Sequence, residues 1–366
     1  MKITYCVSEH YIGCQGGGAI QIYKTKEYIE RLYDIKIELV TKPSEISNDT
    51  DLIHLFEISD WYNKEDFIKK AKEINAKIVL STIYWDLQYF VPYVLIGKIF
   101  SYELNPLLIK IEILISKLLS KVFGRPKYFS KSVINATKSI VKNVDLLLPN
   151  SYEEGELLLK YCNLYNEEKQ KIRPIVNAVE VKNNTSEYSG SLPTNYILQA
   201  GRIEPGKNQL NLLKALYRTK YPILFLGKDY APKSLYSKKL HKLANKRGNV
   251  FFIDGVPYEQ MNSIYKNAIC HVLPSLKESP GLVSLEALYN NCHAVVAEKE
   301  FCPCDFYFDD FVTKINPLSK KSILNGIEKE LNTSRNFEYI HKIISEKFTW
   351  EKTAEQTYMA YKELLK

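Results

Sequence analysis

"AICHVLPSLKESPGLVSLEALYNN", residues 268–291, carries three signals in one run. An apolar segment ends at Leu273, a polar loop holds Ser-Pro-Gly at 279–281, and an apolar helical pattern follows. This reads as strand, loop, helix. Ser279 suits an N-cap, and Pro280 suits the first helical position because it has no amide proton to leave unsatisfied. The amides of Gly281 and Leu282 would then point out of the helix end without internal partners, and with the helix dipole they favour an anion. Gly281 has no side chain to hold a phosphate away. Glu278 lies just outside this cap. Glu286 comes nearly two turns after Ser279, about 10 Å along the axis. The competing reading is an amphipathic helix that turns Glu286 to solvent and buries Leu282, Val283, Leu285 and Leu288.

Ionised carboxylates only accept hydrogen bonds, and sugar hydroxyls donate well to them. Two carboxylates with a phosphate site between them match hydroxyls, diphosphate and hydroxyls in series, which is the layout of a nucleotide sugar. A second loop strengthens the reading. "YILQAGRIEPGKNQLNLLKAL", residues 196–216, is again strand, loop, helix. Pro205-Gly206 suits a tight turn, from which Arg202 and Lys207 both project. A planar guanidinium and a point-charge ammonium suit a diphosphate, and they would stabilise charge on it as a leaving group. Taken alone, two basic residues in one loop would be ordinary solvated surface.

Both loops sit within an α/β pattern. Strand-like runs in the first half are "ITYCVS", "IKIELV", "LIHLFEI", "KIVLSTIYW" and "VDLLLPNS"; in the second they are "YILQAG", "YPILFLG", "NVFFIDG", "AICHVLPS" and "HAVVAE". Helical stretches alternate with them, so parallel sheets covered on both faces are expected. The seam is "EVKNNTSEYSGSLPT", residues 180–194, polar and without apolar period. The chain has 366 residues, 45% hydrophobic and 25% charged, enough for two domains with cores. The start, "MKITYCVSEH", does not read as a signal peptide, and no run reaches the length of a membrane span. Seven scattered cysteines fit free thiols in a reducing cytoplasm. Cys302-x-Cys304 lacks a second ligand pair at zinc spacing.

"GRIEPGKNQ" with "PSLKESPGLVSLEAL" resembles the retaining nucleotide-sugar glycosyltransferases of family 4, in which a Gly-Arg is followed five residues later by Lys and then by Glu-x7-Glu. "FFIDGVPYEQMNSIYKNA", "NVDLLLPNSYEEG" and "FTWEKTAEQTYMAYKELL" also resemble that family, in its order along the chain. The resemblance implies a GT-B architecture, α/β, with two Rossmann-like domains whose parallel sheets face across a cleft. Residues 1–182 would form the acceptor-binding domain and 191–348 the nucleotide-sugar domain, with a helix at 349–366 crossing back to the first. It implies that Glu278 contacts donor-sugar hydroxyls, that Glu286 binds the ribose, and that Arg202 and Lys207 hold the diphosphate, with Glu278, Arg202 and Lys207 carrying catalysis. Gly281, Leu282 and Val283 would cradle sugar and phosphate; Gly255 and Val256 would join the donor site; Gly16, Gly17 and Gly18 in "CQGGGA" would approach the cleft. Residue 21 is Gln, so that glycine run is not a dinucleotide fingerprint. Relatives often carry a donor-contacting His after the fourth strand, where "STIYWDL" here puts Trp85. The implied reaction moves a hexose to an acceptor hydroxyl with retained configuration and needs no cofactor or metal. Asp49 and Asp51, an Asp-x-Asp, precede a strand instead of following one and are read as a polar loop. A GT-B nucleotide-sugar epimerase is the alternative.

Net charge is +8, and residues 91–142 hold eight Lys, one Arg and two Glu, a local +7. In "LLIKIEILISKLLSKVF", residues 107–123, Lys110, Lys117 and Lys121 fall within roughly 40° of one helical face. Leu108, Ile111, Ile115, Leu119 and Val122 lie broadly opposite, and Arg125, Lys127 and Lys131 continue the charge. This is an interfacial pattern, expected to meet an anionic membrane surface through residues 98–142 on the cytoplasmic side, where a lipid-linked sugar would be the acceptor. A buried helix with a solvated lysine stripe is the competing reading, and a basic lipid- or nucleic-acid-binding module the competing class. No nucleic-acid motif is present, so no nucleic acid is expected. In "IYWDLQYFVPYV", residues 83–94, Tyr84, Trp85, Tyr89 and Tyr93 are candidates to stack on an acceptor sugar, with core packing as the other reading.

Overall fold

Two parallel sheets organise the chain in a computed structural model that describes residues 1–366 apart from 14–15, 60–63, 100–101, 103–105, 124–126 and 181–185. The first holds β1 (Ile3–Cys6), β2 (Ile37–Val40), β3 (Leu52–Phe56), β4 (Lys77–Ser81) and β5 (Leu146–Leu147) in the order β2-β1-β3-β4-β5. The second holds β6 (Tyr196–Ala200), β7 (Ile223–Leu226), β8 (Val250–Ile253), β9 (Ala268–Leu273), β10 (Ala294–Ala297) and β11 (Thr313–Ile315) in the order β11-β10-β9-β6-β7-β8. The central strands β1, β3 and β6 are buried at every residue, as expected for parallel strands covered on both faces. Edge strand β8 is only half-buried, with Phe251 exposed.

The chain divides into two packing units: Met1–Trp85, Ser120–Glu180 and Glu346–Lys366 in one, Asp86–Leu119 and Val181–Ser345 in the other. Within the first, α1 (Gly17–Tyr33) lies against the terminal helix Trp350–Leu364, and Ile3, Ile22, Ile29, Trp350, Ala354 and Tyr361 share one core. A buried polar chain fastens that helix: Tyr361 Oη lies 3.0 Å from Tyr5 Oη and 2.6 Å from His54 Nδ1, while His54 Nε2 lies 2.8 Å from Ser81 Oγ. Burial pushes the His54 imidazole down to about 3, so it is neutral in the fold.

Helix α2 (Phe90–Ile99) packs in the second unit: Phe90 lies over Gly206, and Tyr93 Oη donates to Asn208 Oδ1 at 2.8 Å. Another buried cluster is Glu330, whose carboxylate takes Thr313 Oγ1 at 2.7 Å, Arg335 Nε at 2.9 Å and His293 Nδ1 at 3.0 Å. Burial drives its pKa upward, but those bonds outweigh it and leave the carboxyl at about 2.

Helix α3 (Pro106–Phe123) corrects one reading. Its apolar face is not buried beneath a lysine stripe: Leu108, Ile111, Ile115, Leu119 and Val122 are all exposed. Ile109, Ser116 and Ser120 supply the inward side. Arg125 lies outside the described residues, as does the side chain of Lys127.

Candidate functional site

Strand order decides which loops meet. The chain runs from β6 outward to β7 and β8, returns to β9 beside β6, then runs the other way to β10 and β11. The reversal lies between β6 and β9, paired through Leu198 and His271. Open α/β sheets bind ligands at the carboxyl ends of strands at such a point. The loops that follow these two strands are the ones carrying Arg202 with Lys207 and Glu278 with Gly281.

The basic loop leaves β6 at Gly201. A Cβ on Gly227, at the end of β7, would lie 2.3 Å from the Gly201 carbonyl oxygen, so only glycine fits there. Buried side-chain amides grip both ends of the loop. Gln199 Nε2 donates to the Lys207 carbonyl at 2.5 Å, and Gln209 Nε2 donates to the Arg202 carbonyl at 2.7 Å. Asn208 follows in the left-handed conformation, φ 61°, fully buried. Its Nδ2 donates to the Pro274 carbonyl at 3.0 Å and the Pro317 carbonyl at 2.8 Å. The Leu276 amide donates to the Gly206 carbonyl at 2.8 Å, a second tie between the two loops.

In the acidic loop the Glu278 amide donates to the Phe301 carbonyl at 2.9 Å. The helix start differs from the sequence reading. Ser279 is not the N-cap and Pro280 is not helical; α4 (Leu282–Tyr289) is capped by Gly281 at φ 91°. That dihedral lies outside the helical region, so the chain cannot be helical before Leu282. A Cβ on Gly281 would lie 2.8 Å from Leu273 Cδ2. The Ser284 amide turns back to the Gly281 carbonyl at 3.0 Å, which leaves Leu282 and Val283 as the first helical amides. Glu286 is thus the fifth helical residue, little more than one turn in.

Lys207 Nζ and Glu278 Oε1 stand 2.5 Å apart, their side chains 19% and 10% exposed. A cation that suits phosphate is therefore adjacent to a carboxylate that suits hydroxyls. Arg202 is not joined to this pair: its guanidinium is exposed and 3.6 Å from Glu204 Oε1. Glu286 Oε2 accepts from Tyr265 Oη at 3.0 Å. Burial raises its pKa, and the tyrosine hydrogen bond acts against that rise. His271 in β9 is fully buried, and among the described residues no group satisfies either ring nitrogen; burial first, then the Lys207 charge, lowers it to about 3.

The other expected residues are less central. Gly255 is exposed after β8, two strands from β6, and Val256 packs on the Tyr196 and Leu198 cluster. Gly16 caps α1, where Gly17 and Gly18 form the first turn. Tyr84, Trp85 and Tyr93 are buried, as core packing requires, while Tyr89 is half-buried against Phe301 with ring centroids 4.8 Å apart. Asp49 and Asp51 bind Lys2, through its ammonium and its amide respectively, each at 2.7 Å. Gln199, Asn208, Gln209 and Tyr265 were not singled out from sequence. The polar Gln inside the apolar strand "YILQAG" was the one visible signal.

The class defined by these two sheets is GT-B. The chain superposes on sucrose-phosphate synthase from Thermosynechococcus elongatus with a TM-score of 0.73 at 14% identity, covering 100% of this chain and 99% of that one. Against the Anabaena protein HepE, solved in complex with UDP and glucose, the TM-score is 0.70 at 14% identity, over 99% and 100% of the two chains. Against the lipopolysaccharide outer core galactosyltransferase WaaB it is 0.63 at 13% identity, over 100% of both. Within that fold, residues 182–345 match the family model described as Glycosyl transferases group 1, a span that contains both site loops. No curated protein sequence matches the chain.

Proposed function

We propose that the protein is a retaining, metal-independent glycosyltransferase that moves a hexose from a nucleotide diphosphate sugar to a sugar hydroxyl. The acceptor would be a lipid-linked oligosaccharide at the inner face of a bacterial membrane, in surface polysaccharide synthesis. The observation that carries this reading is the Lys207–Glu278 pair beside the left-handed Gly281 turn, on the strands where the sheet order reverses. In a glycosyl diphosphate the phosphate is bonded to the sugar itself, so a phosphate-binding cation and a hydroxyl-binding carboxylate must be neighbours. The match to group 1 glycosyl transferases over these residues supports it.

In this mechanism Glu278 orients the hexose, Glu286 receives the ribose hydroxyls, and the helix end with Lys207 and Arg202 neutralises the diphosphate. The acceptor oxygen bonds to the anomeric carbon on the face the diphosphate leaves. The bond to the phosphate oxygen breaks, and that oxygen takes the acceptor proton. Lys207 must release Glu278, in part, to serve both ends of the donor. The test is Glu278→Gln, which keeps shape but replaces a charged acceptor with a neutral amide. Loss of a charge-assisted hydrogen bond predicts about a 10- to 150-fold fall in transfer. Near-normal transfer by a folded Glu278→Gln protein, across a panel of nucleotide sugars that raise the melting temperature of the wild type, would remove Glu278 from the site.

A further inference from the structure

Helix α3 presents an apolar stripe to solvent along its whole length. Leu107, Ile111, Leu114, Ile115, Leu118 and Val122 are between 43% and 69% exposed. At 100° per residue these six span about 100° of the helix circumference. Lys110, Lys117 and Lys121 are exposed along one border of the stripe. Ile109, Ser116 and Ser120, on the opposite side, are buried. A helix that only packed against its own chain would carry the reverse pattern, apolar inward and polar outward. Contiguous exposed apolar surface rimmed by charge marks an interaction site.

We infer that α3 docks the protein on an anionic lipid surface, lying in the interface plane with the Leu107–Val122 stripe among the acyl chains and the three lysines at the headgroups. Charge decides between this occupant and a second copy of the chain. The one acid on α3 is Glu112, which accepts from its own Ser116 hydroxyl at 2.9 Å. Two such helices paired face to face would offer no carboxylate to the lysine border, whereas anionic headgroups supply one for every cation. No helix of the described residues is long and apolar enough to cross a membrane, and lysines at both ends and the middle of the stripe suit a helix lying flat. The surface gives the acceptor reading above a place to act but does not depend on it.

Co-sedimentation of the full-length protein with vesicles of phosphatidylcholine, alone or mixed with phosphatidylglycerol, tests this without donor or acceptor. Binding is expected on the mixed vesicles, weaker at high salt and weaker still on neutral ones. Each lysine contributes about fivefold near an anionic surface, so Lys110→Ala, Lys117→Ala and Lys121→Ala together should reduce binding about a hundredfold. Leu114→Glu with Leu118→Glu should reduce it by more than about a hundredfold even at low salt. Both leucines are among the most exposed on the helix, so the melting temperature should be unchanged. Four results would overturn the inference: no binding at low salt, binding indifferent to the leucine pair, binding indifferent to the lysine set, or a lipid-free dimer that the leucine pair dissolves. Transfer to a soluble acceptor should survive the leucine changes, which separates failure of this surface from failure of the proposed reaction.

Discussion

Asn208 offers the sharpest test of how the site is built. It sits in the left-handed region with no exposed surface, and its side chain spans three elements. Replacing it with Gly deletes the bonds to Pro274, Pro317 and Tyr93. The Pro317 carbonyl keeps a bond from Asn211 Nδ2 at 3.1 Å, so two buried groups lose their side-chain partner, the Pro274 carbonyl and the Tyr93 hydroxyl. Each costs about 1–3 kcal/mol, so Asn208→Gly should destabilise by roughly 2–6 kcal/mol. Asn208→Ala should cost about 1–2 kcal/mol more, because alanine resists positive φ as glycine does not. Asn208→Asp keeps the acceptor for Tyr93 but turns a carboxylate oxygen toward two carbonyls, and should be the worst of the three. Urea unfolding followed by far-ultraviolet circular dichroism gives the ranking. Calorimetry then asks whether nucleoside diphosphate binds more weakly while nucleoside does not, as expected if the residue positions Lys207. A double-mutant cycle with Tyr93→Phe should return a coupling of about 1 kcal/mol. The reasoning fails if Asn208→Ala is as stable as Asn208→Gly, or if all three variants lie within about 1 kcal/mol of the wild type.

Three further outcomes follow from the same geometry. Lys207→Ala leaves Glu278 buried without its ammonium and should cost about 2–4 kcal/mol, most of it recovered when Glu278→Gln is added, with transfer still lost; an additive double variant would contradict the pairing. Transfer should continue in excess EDTA, since Arg202, Lys207 and the α4 amides are proposed to neutralise the diphosphate; loss restored by magnesium or manganese would overturn that assignment. Stability should fall as the medium becomes acid. His54 and His271 titrate at about 3 in the fold and near 6.5 when unfolded, so the unfolded chain takes up protons that the fold refuses between those values. Their contribution is complete above about 6.5 and is lost toward 3, with an upper bound of about 5 kcal/mol each. Glu330, at about 2 in the fold, adds a loss in the same direction below its ordinary range near 4.5. Melting temperature against pH measures it, and His54→Gln should flatten the upper part of the slope.

The sheets were legible because their strands are buried on both faces. Runs such as "ITYC" and "YILQA" are apolar enough to be seen without periodicity, and the strand–loop–helix rhythm then gives the parallel order. Helix starts were harder. Ser279 and Pro280 satisfy every local preference for a cap and a first turn, yet Gly281 adopts φ 91° against Leu273 and moves the start to Leu282. Local preference is worth about 1 kcal/mol per cap, which tertiary packing of a loop readily overrides. The sequence left two readings of α3 open for a related reason, and the exposed face rules out the buried one. A periodic sequence separates an apolar face from a charged border but does not say which of them meets the protein, and here the protein takes the narrow Ile109–Ser116–Ser120 side.

The candidate site is read from the sequence as chemistry and not as geometry. Residue types give what a ligand requires: cations for phosphate, carboxylates for hydroxyls, glycine for close approach. They do not say that Lys207 and Glu278 contact each other without ligand, because the two are 71 positions apart in the chain and meet only through the β6–β9 reversal. Under the proposed function, that contact changes the energetics expected of donor binding. A pair so little exposed holds both charges largely out of water, so each is already desolvated before a ligand arrives. A donor that inserts between them exchanges one charge-assisted contact for two, phosphate on Lys207 and hydroxyl on Glu278, without a second desolvation of either group. A bare nucleoside brings no phosphate for Lys207 and so offers only one of the two contacts that separating the pair requires. On the proposed function, selectivity for a sugar diphosphate over its fragments would then arise from the resting state of the protein as much as from the contacts made with a bound donor.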